Sequence, residues 1–108
     1  LKLLDTILLQ HKGEKIEDEA LLRKAQLFEE LGEYEKAEKN YQQIIQYYAD
    51  DILADDAYYY LAELYRNQLN QPEKAKENYE QIIFNFADSI YFVESRKKYR
   101  ILRGDQIE

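Results

Sequence analysis

The chain contains no cysteine, so neither a disulfide nor a thiolate metal site can form. Its one histidine, His11, cannot build a zinc site unless several carboxylates converge on it. The three glycines, Gly13, Gly32 and Gly104, are isolated from one another, so there is no Gly-rich loop to cradle a phosphate. Ser89 and Ser95 have no histidine near them in sequence, and no Gly-x-Ser-x-Gly elbow surrounds either. No enzyme activity, cofactor or metal is therefore expected. No apolar run approaches the roughly 18 residues that a bilayer crossing needs. Methionine is absent and the chain starts at Leu1. That pattern is the one expected of a piece of a longer protein, in which any signal peptide or lipid anchor would lie outside these residues.

An excess of positive charge is lacking as well. Lys and Arg number 15 against 22 Asp and Glu, a formal net charge of −7. Nucleic-acid binding depends on neutralising phosphates, so a nucleic-acid partner is not expected. What is present is 45% hydrophobic and 34% charged residues, the balance of a folded, well-solvated protein. A length of 108 residues suffices for one domain with one core. A single proline, few glycines, and many Leu, Ala, Glu, Lys, Gln and Tyr favour helices over strands.

Internal similarity is the dominant pattern. Ala37, Asn40, Tyr41, Gln43, Ile44 and Ile45 recur as Ala75, Asn78, Tyr79, Gln81, Ile82 and Ile83, an offset of 38. Tyr48-Ala49-Asp50 continues into Phe86-Ala87-Asp88, and Ile52 matches Ile90. Upstream, Leu21, Ala25, Leu27 and Phe28 match Tyr58, Ala62, Leu64 and Tyr65 at an offset of 37. The offsets differ by one because the turn at Asn70-Gln71-Pro72 is one residue longer than that at Gly32-Glu33. Leu4, Ile7 and Leu8 fall on Tyr41, Ile44 and Ile45, so residues 1–11 match the second helix of a preceding, truncated repeat. Ile90 to Leu102 matches the first helix of a following one. There Arg100 takes the place of Ala25 and Ala62, and Arg103 that of Phe28 and Tyr65, a polar face expected to cap the stack.

Apolar residues at spacings of three and four predict six helices, roughly 1–11, 17–31, 34–48, 53–68, 72–86 and 90–103. Gly32 marks a helix stop, and Pro72 suits the first turn of the helix that follows it. Asp51, Asn70 and Ser89 are capping or turn candidates. The expected organisation is one domain: a second helix of a truncated repeat over 1–16, repeats over 17–52 and 53–89, and a capping helix over 90–108. Ala25, Ala37, Ala62 and Ala75 are expected at the closest helix approaches, with Phe28, Tyr41, Tyr65 and Tyr79 filling the gaps. Most of the eleven tyrosines are expected in the core.

In the first repeat, Leu21, Ala25, Phe28, Gly32, Tyr34, Ala37, Tyr41 and Ile44 resemble the tetratricopeptide repeat pattern. Tyr58, Ala62, Tyr65, Ala75, Tyr79 and Ile82 do so in the second, without the turn glycine. The family's terminal proline is Ala49 and Ala87 here. The resemblance implies a right-handed α-solenoid of helix hairpins that holds another protein. A narrower likeness lies in Tyr48 to Ala57, Leu61 to Tyr65 and Asp88 to Arg100. These segments are similar to repeats of Gram-negative envelope proteins of the Tol-Pal accessory and outer-membrane assembly type. That likeness implies a periplasmic or envelope location over a cytoplasmic one.

First helices of successive repeats line a concave groove in that family. Carried over, the groove positions are Glu19, Leu22, Gln26, Glu29 and Glu30, then Asp56, Tyr59, Glu63, Arg66 and Asn67, then Glu94 and Lys97. Such a surface is mostly acidic with Leu22 and Tyr59 as apolar anchors, which favours a basic or helical protein segment. Arg66, Asn67 and Lys97 are too few for the family's clamp on an acidic tail. The alternative is a structural spacer or a self-association module, joined through the edge formed by Leu4, Ile7 and Leu8. The basic run Arg96 to Arg100 with Arg103 is expected to be a solubilising cap. Asp50, Asp51, Asp55 and Asp56 lack the glycine and terminal glutamate of a calcium loop and are read as helix-start charge.

Overall fold

The computed structural model describes residues 15–47 and 53–104. They form five helices: α1 Lys15–Glu30, α2 Tyr34–Tyr47, α3 Ala54–Asn67, α4 Pro72–Asn85 and α5 Phe92–Arg103. Among the described residues there is no strand, and the chain is all-α. The helix expected over 1–11, with Leu4, Ile7, Leu8 and His11, lies outside them, as do Asp50 and Asp51. The chain divides into two compact units, residues 1–57 and 58–108.

In the first unit α1 and α2 form a hairpin. Its turn is closed by backbone bonds from Gly32 N–H to the Glu29 carbonyl (3.1 Å) and from Glu33 N–H to the Phe28 carbonyl (2.8 Å). Gly32 sits at φ +78°, the left-handed region such a helix end needs. Ala25 and Ala37 have no exposed surface, and Leu21, Phe28, Tyr41 and Ile44 are buried with them. The small side chains let the two backbones approach, and the rings occupy the remaining space.

The second unit repeats the plan with one change. Between α3 and α4 the Tyr65 carbonyl, the counterpart of that of Phe28, accepts from Gln71 N–H at 2.8 Å. The closing bond therefore spans one residue more. Asn70, at φ +52°, takes the left-handed position that glycine fills in the first repeat. Asparagine tolerates that conformation better than most residues with a Cβ. Pro72 opens α4 at the first helical position, where its missing N–H costs nothing. Ala62, Ala75, Tyr79 and Ile82 have no exposed surface, and Leu61, Leu64 and Tyr65 are buried.

Helix α5 starts at Phe92 rather than at residue 90. The Ser89 hydroxyl accepts the Tyr91 N–H at 3.0 Å, holding the preceding residues in a turn. It ends at Gly104, φ +95°, whose N–H caps the carbonyls of Arg100 and Ile101. The inward row of α5 also differs from the expected register. Ser95 is fully buried and Tyr99 and Leu102 half-buried, whereas Arg96, Arg100 and Arg103 are exposed. The offset of 37 thus continues into α5, so that Ser95, Tyr99 and Leu102 take the places of Tyr58, Ala62 and Tyr65. The row that turns inward is the one with an aromatic and a leucine, not the one with two arginines. Among the described residues the tyrosines divide unevenly: Tyr41, Tyr65 and Tyr79 are buried, Tyr34, Tyr58, Tyr59, Tyr60, Tyr91 and Tyr99 half-buried, and Tyr47 exposed.

Candidate functional site

In the first unit the expected groove residues lie on α1, apart from Asp56. Glu19, Gln26 and Glu30 are exposed, and Leu22 and Glu29 are half-buried. Glu29 accepts a hydrogen bond from the hydroxyl of Tyr41, which ties α1 to α2. Glu29 is thus a strut within the hairpin, while Glu19 and Glu30 project into water. Asp56, in the first turn of α3, is half-buried and donates its backbone N–H to the Asp55 carboxylate at 3.0 Å.

In the second unit, Tyr59, Glu63, Arg66 and Asn67 are drawn into one network centred on Glu63. Its Oε1 accepts from the Tyr79 hydroxyl at 2.8 Å and from the Lys98 ammonium. Its Oε2 accepts from the Asn67 amide at 3.0 Å and lies 4.0 Å from Arg66. Lys98 also donates to the Tyr59 hydroxyl at 2.7 Å and lies 5.0 Å from the centre of that ring. Tyr59 stacks on Tyr91 with ring centres 4.4 Å apart and planes 12° from parallel. Tyr60 meets both rings edge-on at 6.0 Å. Three helices, α3, α4 and α5, are therefore fastened at one carboxylate.

Electrostatics follow from this geometry. Burial pushes the Glu63 carboxyl up, but hydrogen bonds from Lys98, Tyr79 and Asn67 outweigh it and hold the group below the usual value. Burial disfavours charge on Lys98, yet its bonds to Glu63 and Tyr59 raise it above an ordinary lysine. The Tyr79 phenol is raised far above the ordinary range, first by burial and then by the Glu63 carboxylate it bonds. Burial alone raises Tyr58.

Glu94 and Lys97, the groove residues placed on α5, are exposed and lie 3.9 Å apart as an ion pair. The partners that sequence reasoning missed are Lys98 and Tyr91. Lys98 stood inside a run of bases, and nothing at its own position marked it as the one that turns inward. Tyr91 carried a weak signal, an aromatic one turn before the buried row. Among the described residues no cluster of three or more His, Asp or Glu is placed to hold a metal ion. None of the described helices is long and apolar enough to cross a membrane.

The family model described as tetratricopeptide repeat matches residues 19–51 and 56–89, more than half of the chain. The chain belongs to the tetratricopeptide repeat family. Its members are protein-interaction scaffolds and are in general non-catalytic. Each matched segment holds one helix hairpin, α1 with α2 in the first and α3 with α4 in the second. No curated protein and no solved structure gives a significant match.

Proposed function

We propose that this tetratricopeptide chain is a non-catalytic scaffold that holds a basic, helical segment of a protein partner against the first helices of its repeats. The observation that carries this reading is the solvent face of α1. Glu19, Gln26 and Glu30 are exposed there with Arg23 as the one exposed base among them, and Leu22 is half-buried beside them. Glu19 and Glu30 are eleven residues apart, roughly 16 Å along the helix, so a bound segment about three turns long reaches both. The counterpart positions on α3 contribute less, because Glu63, Tyr59 and Asn67 already bond within the second unit. The binding charge is accordingly assigned to α1.

The test uses Glu19→Lys with Glu30→Lys, leaving Glu29 and Glu63 intact because they hold helices together. The intact chain is mixed with a display library of helical peptides of both charges. Basic amphipathic sequences should be enriched, and the double reversal should lose that enrichment while keeping its melting temperature. Unchanged enrichment in the double variant would sink the reading.

A further inference from the structure

The sequence leaves few side chains for an oxidant to attack. Cysteine, methionine and tryptophan, the side chains most readily oxidised besides tyrosine, are absent, whereas tyrosines number 11. One-electron oxidation of this chain therefore falls on phenols. Where two phenols lie in contact, the radicals formed on them couple before either is quenched.

Tyr59, on α3, and Tyr91, just before α5, are such a pair. Their ring centres are 4.4 Å apart and their planes 12° from parallel, so carbons of one phenol lie against carbons of the other. The other ring contacts in this cluster are edge-on: Tyr60 meets Tyr59 and Tyr91 at 6.0 Å, and Tyr79 meets Tyr59 at 6.1 Å. Both members of the stack are held from outside it. Lys98 donates to the Tyr59 hydroxyl at 2.7 Å, and the Ser89 hydroxyl accepts the Tyr91 N–H at 3.0 Å. Tyr59 and Tyr91 are half-buried, so each keeps surface that an oxidant can reach. Tyr79 has no exposed surface, and its hydroxyl is bound to Glu63. Tyr60 is the competing neighbour, with its hydroxyl 3.5 Å from that of Tyr91, but it presents an edge to the stack rather than a face.

We propose that Tyr59 and Tyr91 are an oxidative modification site, at which a peroxidase-type one-electron oxidant fed by hydrogen peroxide joins them as dityrosine. Each phenol loses one electron and its hydroxyl proton, giving a phenoxyl radical with spin on the carbons ortho to oxygen. An ortho carbon of Tyr59 bonds to one of Tyr91. The two ortho hydrogens then leave as protons, and both oxygens are reprotonated. Two ring C–H bonds are broken and one C–C bond is formed. The two electrons and two protons removed reduce one hydrogen peroxide to two molecules of water. The new bond ties α3 to the residues that lead into α5, beside the Glu63–Lys98 contact that already joins those helices. A docking held by stacking and hydrogen bonds becomes a covalent one.

The experiment treats the intact chain, at low concentration, with a haem peroxidase and limiting hydrogen peroxide. The blue fluorescence of dityrosine should appear in the monomer band of a denaturing gel. After proteolysis, mass spectrometry should find the peptides carrying Tyr59 and Tyr91 joined with loss of two hydrogens. Fragment spectra should place the link at Tyr59 rather than at Tyr60. Tyr59→Phe and, separately, Tyr91→Phe should abolish this product, because each removes a hydroxyl that must be oxidised, whereas Tyr60→Phe should preserve it. Circular dichroism should show the fold retained, since phenylalanine keeps the stacked ring; if one variant unfolds, the other still decides. Chain unfolded in urea should lose the preference for this pair. The linked chain should need more urea to unfold than the unlinked one, because the bond constrains the unfolded state. Dityrosine confined to covalent dimers, a link through Tyr60 or another tyrosine, or oxidised tyrosine without a link would each overturn the proposal. So would an undiminished yield in Tyr91→Phe.

Discussion

Glu63 accepts hydrogen bonds from a buried phenol, an ammonium and an amide, and its side chain keeps about one fifth of its surface exposed. A carboxylate in that position contributes most when charged. Its depressed pKa means that the contribution is complete above the ordinary value of 4.5 and is lost as pH falls through the lower, folded-state value. Lys98 and Tyr79 act at the other limit. Both are raised in the folded state, so their contributions are complete below ordinary values of 10.5 and 10.0 and are lost as pH rises beyond them. Glu63→Gln should therefore destabilise the chain by about 1–2 kcal/mol near neutral pH, the scale of hydrogen bonds to a charged group. It should also flatten both limbs of the stability profile. Urea unfolding at several pH values measures this, and a parallel downward shift at every pH would contradict the charge-based account.

Within each hairpin the turn sets the relation between helices. Gly32 has no atom within 4 Å of where a Cβ would stand, so the cost of Gly32→Ala is conformational rather than steric. Placing a Cβ at φ +78° should cost about 1 kcal/mol. Asn70→Ala should cost a similar amount for the same reason, while Asn70→Gly should be neutral or stabilising. Guanidinium unfolding of the three variants gives the ranking. A neutral Gly32→Ala would show that the left-handed position does not govern the turn. The left-handed role of Asn70 was legible from the sequence only as a missing glycine. By contrast the buried rows, Ala25 with Ala37 and Ala62 with Ala75, were fully legible, because the same residues recur at the same spacing. The register of α5 was harder to read. Only the preceding first helices anchor its alignment, and by that comparison a row of arginines is as consistent as the true one. The Glu63–Lys98 bond was not legible either. Its partners are 35 residues apart, and a charged residue on a helix declares no direction until its neighbours are placed.

Over the whole chain the charge is unevenly divided. Residues 1–57 carry 14 acids and 7 bases, whereas residues 58–108 carry 8 of each. The net charge of −7 thus belongs to the first unit. Like charges on α1 and α2 repel, and salt screens exposed pairs over about 10 Å at 0.1 M. Raising NaCl from 10 to 200 mM should raise Tm by a few degrees, because screening relieves that repulsion more than it weakens the part-buried Glu63–Lys98 pair. A scanning-calorimetry series that showed Tm falling with salt would mean that attractive pairs dominate instead.

The tyrosine of each second helix finds a carboxylate on the helix before it, but not at the same place. Tyr41 uses Glu29, and Tyr79 uses Glu63, whose counterpart in the first repeat is Gln26. Either hydroxyl would be served if the two modules were exchanged in a grafted array, since each first helix offers an acid within one turn. Helix α5 would not be served. Lys98 needs an acid where, of the two modules, only the second has one, so α5 is keyed to the hairpin that precedes it.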